Sequence, residues 1–248
     1  MKYITIVERS DGFGAQFQTI IYAILIAENG NNEYLHIPIK SMHHNYDNDP
    51  HFLTKIEEIM NVYTNYKCID DVESNSDIKT LGMYEAINKF EANINFYLES
   101  NSLKNLKAHF WKNKSRDFFK NKKFNVAVHI RRPNVHDDRI EGTDEALEYY
   151  FNIINTIRNK CAATEKEVLF HIYSQNELSD YADIVDNNIS DIQFHLNESI
   201  YDTFIGMVAA EALVTSASSL SYTAALLSDG EIYYKPFWHC PKNTWIIC

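Results

Sequence analysis

Hydrophobic and polar positions follow one another in a repeating order along the chain: a short run of branched or aromatic residues, a polar turn, then a longer apolar stretch at helical spacing. YITIV (3–7) reads as a strand, RSDGFGAQ as a turn, and FQTIIYAILIAENG as an apolar helix that Gly30 can close. EYLHIPI, beginning at Glu33, reads as a second strand. A polar loop, SMHHNYDNDPH, then leads to the helical patterns FLTKIEEIMNVY and LGMYEAINKFEANINFYL. The lysine-rich stretch KNLKAHFWKNKSRDFFKNKK (104–123) interrupts the rhythm and reads as a solvated helix face or linker. The order resumes with FNVAVHI (124–130) as a strand, EALEYYFNIINTIRNK as a helix and EVLFHIYS (167–174) as a strand. A short helix at 180–185, a strand at IQFHL (192–196), a helix at IYDTFIGMVAAEA and a strand end at LVTS follow. SLSYTAALLS then reads as a helix and EIYYKP as a last strand. Such alternation predicts an α/β fold with mainly parallel sheets. The interruption near 105–123 divides it into two Rossmann-like halves, 1–115 and 116–248.

Composition narrows the class. With 248 residues, 45% apolar and 23% charged, the chain has the makeup of an ordinary globular protein able to bury a sizeable core. No apolar run approaches the roughly 20 residues of a membrane span, and MKYITIVERSDGFG lacks the ~7–15-residue apolar core of a secretory signal. The expectation is a soluble, cytoplasmic protein. Cys68, Cys161, Cys240 and Cys248 are scattered and form no CxxC, which predicts reduced thiols rather than a disulfide framework. A formal net charge of −11 argues against a nucleic-acid partner.

Against that acidic background, VAVHIRR (126–132) places His129, Arg131 and Arg132 at the end of a strand. Ligands of open α/β sheets sit outside the carboxyl ends of strands. Paired guanidinium groups there offer planar N–H donors suited to gripping a diphosphate and stabilising its charge as it leaves. The competing reading is a pair salt-bridged to Asp137, Asp138 and Glu141. In SASSLSYTAALLS (216–228), small hydroxyls stand at a helix N-terminus, an anion site or simply a cap formed by Ser218 or Ser219. SDGFGAQ (10–16) has Gly12 and Gly14 but Phe17 where a dinucleotide fingerprint places its third glycine; it still permits close approach of a substrate. The acidic pairs at 70–71 and 137–138 and the histidines at 43–44 read as solvated loops, so no metal site is expected.

These residues together resemble the fucosyltransferase superfamily. VHIRR is similar to its HxRR motif, and DGFGAQFQTIIYAILIA to the N-terminal glycine-turn segment of its α1,2 and O-fucosyl members. LFHIYSQNE resembles the second motif, a strand ending in Ser or Thr and an acid. SIYDTFIGMVAAEALVTSASSLSYTAALL resembles the third. The matches run in order over both ends of the chain and most of its C-terminal half; about 40–120 matches nothing.

The resemblance implies a GT-B architecture: two Rossmann-like domains facing a central cleft, with the acceptor on the N-terminal side and the donor in the C-terminal half. It implies inverting, metal-free transfer of fucose from GDP-β-L-fucose to a glycan hydroxyl, the GDP-sugar being a substrate and no cofactor being required. By it, Arg131 grips the diphosphate, Arg132 supports it, His129 contacts the nucleoside, and Ser218 and Ser219 bind phosphate oxygens. Gly12, Gly14, Gln16, Ser174, Asn176 and Glu177 are further substrate-binding positions. EGTDEALEYY (141–150) resembles the GTEA stretch of the α1,6 enzymes, which makes Asp144 or Glu145 a candidate base; both acids equally suit the first turn of the following helix. The chain departs from the superfamily at RRPN (131–134) and SQNE (174–177), where Gln175 and Asn176 replace the carboxylate that meets guanine, with Glu177 as a substitute. Another nucleotide sugar therefore stays open as donor. Two other classes stay open as well: a Rossmann oxidoreductase with its pyrophosphate on DGFGAQ, and a non-catalytic nucleotide- or glycan-binding module.

Overall fold

A computed structural model of the chain describes residues 2–43, 45, 48–132, 145–185 and 190–248. The chain divides into two compact units, Met1–Ser115 and Arg116–Cys248.

The first unit runs β1 (Tyr3–Ile6), α1 (Phe13–Asn29), β2 (Glu33–His36), α2 (Phe52–Met60), β3 (Lys67–Cys68), β4 (Ile78–Leu81), α3 (Met83–Glu91), α4 (Ile94–Glu99) and α5 (Asn101–Trp111). Its sheet has the order β3-β2-β1-β4, and every pair is parallel. α1 is apolar on nearly all sides because it is covered on all sides, by β1 and β2 beneath it and by α3, α4 and α5. Tyr22 stacks on Phe90 at 3.9 Å and Phe90 on Tyr97 at 5.4 Å, an aromatic seam in which each contact adds about 0.5–1.5 kcal/mol beyond the area it buries. The helix begins at Phe13, ahead of the expected Phe17, because Gly12 holds an extended cap conformation and its carbonyl accepts Gln16 N–H at 3.1 Å. α5 takes up the start of the lysine-rich stretch. Ser100 Oγ accepts Leu103 N–H at 3.2 Å, Leu103, Leu106 and Phe110 turn inward, and Lys104 is exposed.

The second unit runs β5 (Phe124–His129), α6 (Leu147–Ala163), β6 (Val168–Ser174), α7 (Ala182–Val185), β7 (Ile192–Leu196), α8 (Ile200–Ala209), β8 (Ala212–Val214), α9 (Ser219–Leu227), β9 (Glu231–Tyr234) and β10 (Ile246–Ile247). Its parallel strands lie in the order β10-β9-β8-β5-β6-β7. With β5 to β10 numbered one to six, the order from the β7 edge is 3-2-1-4-5-6, a doubly wound sheet. The winding reverses between β5 and β8, as it does between β1 and β4 in the first unit. Val126 and Val128 of β5, Phe170 and Ile172 of β6, and Ile153, Ile154 and Ile157 of α6 form the core. Each such side chain contributes roughly 1.5–3 kcal/mol by leaving water. Tyr173 of β6 lies against α8 at Gly206, where a Cβ would stand 2.0 Å from the tyrosine hydroxyl. Among the described residues no helix is long and apolar enough to cross a membrane.

Candidate functional site

The crevice of a doubly wound sheet opens where the winding reverses, at the carboxyl ends of its strands. In the second unit that point holds VHIRR on one side and the serine-rich turn on the other. Ile130 N–H bonds Tyr173 O at 3.0 Å and extends β5 by a residue, so Arg131 and Arg132, both half-buried, emerge just beyond the sheet. β8 stops at Val214, paired with Val128, and the fully buried Thr215 and Ser216 follow. His129 Nδ1 and Ser216 Oγ are hydrogen-bonded at 2.8 Å across the reversal. Burial, reinforced by the Arg131 charge, pushes the His129 pKa down to about 3, so the ring is neutral near pH 7.

The turn itself is internally bonded. Ser221 Oγ accepts Ser216 N–H at 3.2 Å, and Ser218 Oγ accepts Leu220 N–H at 3.2 Å as the cap of α9, which Ser219 begins. A hydroxyl that accepts a bond keeps its own proton to donate, so capping by Ser218 is compatible with holding an anion.

Around Arg132 the structure assembles groups that sequence reasoning had left apart. Arg132 Nη1 donates to Glu145 O at 2.8 Å, and Glu145 Oε2 pairs with Lys235 Nζ at 2.5 Å. Lys235 falls within the strand that EIYYKP predicts, and the structure places it directly after β9. Its one sequence signal is a cation at a strand end, the same signal that marked the arginines. Asp144, Asp137, Asp138 and Glu141 lie outside the described residues.

Ser174 ends β6 and ties it to β5. Its hydroxyl donates to Ile130 O at 2.7 Å and meets the Tyr181 hydroxyl, which donates to Gln175 O at 2.6 Å. Asn176 sits at φ 79°, held on both sides by Asn197: its N–H reaches Asn197 Oδ1 at 3.1 Å, and Asn197 Nδ2 donates to its carbonyl at 2.9 Å. Glu177 is exposed, and its N–H donates to Asp180 Oδ2 at 3.1 Å. These three stand at and just beyond the end of β6, one strand away from the β5–β8 reversal.

In the first unit, Gly12, Gly14 and Gln16 lie together where β1 leads into α1. Gln16 Nε2 donates to Asp11 O at 2.7 Å and to Ser41 O at 3.1 Å, which fastens the glycine turn to the loop after β2. Arg9 grips Asp11 with two nitrogens and reaches Thr19 Oγ1 at 3.2 Å. Arg9, Gln16, Glu8 and Lys40 line a small cleft floored by Ile6 and Ile20. Among the described residues no group of three or more His, Cys, Asp or Glu side chains is placed to share a metal ion.

No protein-family model matches the chain, and no curated protein matches its sequence. Solved structures similar to it include the fucosyltransferase NodZ from Bradyrhizobium, at 9% identity and a TM-score of 0.42 over 92% of this chain and 94% of that one. POFUT1 in complex with GDP is similar at 12% identity and a TM-score of 0.44, over 92% of this chain and 95% of that one. E. coli heptosyltransferase WaaC with ADP-2-deoxy-2-fluoro heptose is similar at 11% identity and a TM-score of 0.43, over 100% of this chain and 93% of that one. Likeness at this level assigns no role to any residue.

Proposed function

We propose that the chain is an inverting glycosyltransferase that takes its sugar from a nucleotide diphosphate donor and passes it to a glycan hydroxyl without a metal ion. The resemblance of its motifs makes GDP-fucose the donor. The observation that carries this reading is the His129–Ser216 contact at the winding reversal. It places a neutral imidazole, two guanidinium groups and a serine-capped helix N-terminus at neighbouring strand ends, in a protein of formal net charge −11. A diphosphate needs donors of this kind, and a doubly wound sheet binds its nucleotide at this place.

In the proposed reaction the acceptor oxygen bonds the anomeric carbon on the face opposite the diphosphate, and its proton passes to a carboxylate. The anomeric C–O bond breaks, with its electron pair leaving on the diphosphate. Arg131 stabilises that charge as it develops, Arg132 supports it, and Ser218, Ser219 and the first N–H groups of α9 receive phosphate oxygens. His129 contacts the nucleoside, with Ser174, Asn176 and Glu177 on the adjoining strand end. Glu145 is the described candidate for the base, and Asp144 the one outside the described residues. Gly12, Gly14 and Gln16 form the acceptor-side turn.

The test is binding and turnover in EDTA. GDP should raise the thermal midpoint with no divalent ion present, since a ligand bound only by the folded chain stabilises it. A panel of GDP-, UDP- and TDP-sugars should show hydrolysis of a GDP-sugar. A thermal shift that requires Mn²⁺ or Mg²⁺, or a panel with no turnover, would remove the proposal.

A further inference from the structure

Lys235 is positioned by three contacts, one from the residue after β8 and two from the segment that begins α6. Its backbone N–H donates to Thr215 Oγ1 at 2.9 Å, which anchors it to the residue before Ser216. Its ammonium lies 4.1 Å over the Tyr149 ring and 2.5 Å from Glu145 Oε2. Glu145 is in turn held by Arg132 through its carbonyl at 2.8 Å. The ends of β5, β8 and β9, which are adjacent in the sheet, therefore bring Arg131, Arg132 and Lys235 to one edge.

The Lys235 and Glu145 side chains keep 23% and 29% of their exposure, so water reaches the pair and screens it in part. A diphosphate carries more charge than a carboxylate and presents several oxygens to an ammonium, so it competes well for Lys235. Opening the pair leaves Lys235 anchored through its backbone and Glu145 anchored through its carbonyl, so only the lysine side chain has to move.

We propose that Lys235 is a third cation of the diphosphate site, and that a bound nucleotide draws its ammonium away from Glu145. This rests on the nucleotide-sugar reading above. In the empty site the ion pair keeps the carboxylate occupied; with donor bound, the carboxylate is released to take the proton of the attacking hydroxyl. Proton acceptance by Glu145 is thereby linked to the presence of the group whose departure it accompanies.

The exchange makes a prediction of sign that a merely structural ion pair does not. GDP, inorganic pyrophosphate and guanosine are titrated by calorimetry in EDTA into wild type, Lys235→Met, Glu145→Gln and the double variant, each first shown to unfold cooperatively. Lys235→Met should weaken GDP and pyrophosphate about tenfold, the scale of a lost charge-assisted hydrogen bond, and leave guanosine unchanged. Glu145→Gln should tighten GDP about threefold, because the competing carboxylate is gone. In the Lys235→Met background the same Glu145→Gln change should have no effect, since the two residues act as one unit. Equal tightening with and without Lys235 would mean simple charge repulsion and overturn the exchange, as would wild-type GDP affinity in Lys235→Met. A wild type that binds neither GDP nor pyrophosphate overturns this proposal and the function proposal together. GDP binding that ignores Lys235 overturns this one alone.

Discussion

His129 Nδ1 and Ser216 Oγ lie 2.8 Å apart, although 87 residues separate them. The contact joins the strand that delivers the arginines to the turn that delivers the serines, and it does so with both residues buried. Ser216→Ala leaves a buried imidazole nitrogen without that partner, so a loss of about 1–3 kcal/mol is expected in urea unfolding. GDP affinity should fall with it, because the neighbouring strand ends lose their tie. A variant as stable as wild type with unchanged GDP affinity would show the contact to be incidental.

The same residue predicts an acid sensitivity. An ordinary histidine titrates near 6.5, whereas His129 is held at about 3 in the folded chain, by burial first and Arg131 second. The unfolded chain thus takes up the proton first. Stability from the neutral ring is complete above about pH 6.5 and is lost as pH falls toward 3, by up to about 1.4 kcal/mol per pH unit. His171, lowered to about 4 by burial and by His195, acts in the same direction. Urea midpoints between pH 7 and 4.5 should decline, and His129→Asn should decline less steeply; parallel curves for the two proteins would refute the assignment.

Arg131 separates binding from rate. If its guanidinium stabilises charge that grows as the diphosphate departs, Arg131→Lys keeps the charge but loses the planar fork. Turnover should then drop on the order of 10²-fold while GDP binding stays measurable. Near-normal turnover would mean that the arginine is structural.

Gly206 and Tyr173 supply a prediction about packing. A Cβ at position 206 would lie 2.0 Å from the tyrosine hydroxyl and 2.5 Å from Cζ, so Gly206→Ala should cost about 1–3 kcal/mol or more in thermal unfolding. Among the described residues the buried Tyr173 hydroxyl has no hydrogen-bond partner. Tyr173→Phe should therefore match or exceed wild-type stability, and a clear loss would contradict the packing described here.

The strand and helix alternation was legible because it is local chemistry. The apolar runs of β1, β5 and β6 and the helical spacing of Tyr150, Ile153, Ile154 and Ile157 each declare their element within one window of residues. The cationic strand end was legible for the same reason, as Arg131 and Arg132 are neighbours in sequence. β3 and β10, two residues long, and β4, four, were not. They exist through parallel pairing with β2, β9 and β1, and such pairing leaves little mark on the short segment itself.

The site separates the two kinds of information further. Residue types suited to an anion are written in VHIRR and SASSLSY, and a glycine turn in DGFG. Which of them meet depends on strand order, and β5 lies between β6 and β8 for reasons of winding that no single segment carries. For that reason Ser216, rather than the capping Ser218, reaches His129, and Glu145 faces Lys235 from a distant part of the chain. Periodicity sets the elements because hydrophobic burial acts on near neighbours first; the partners of polar groups are set when the sheet assembles, because hydrogen bonds and ion pairs act only at contact distance.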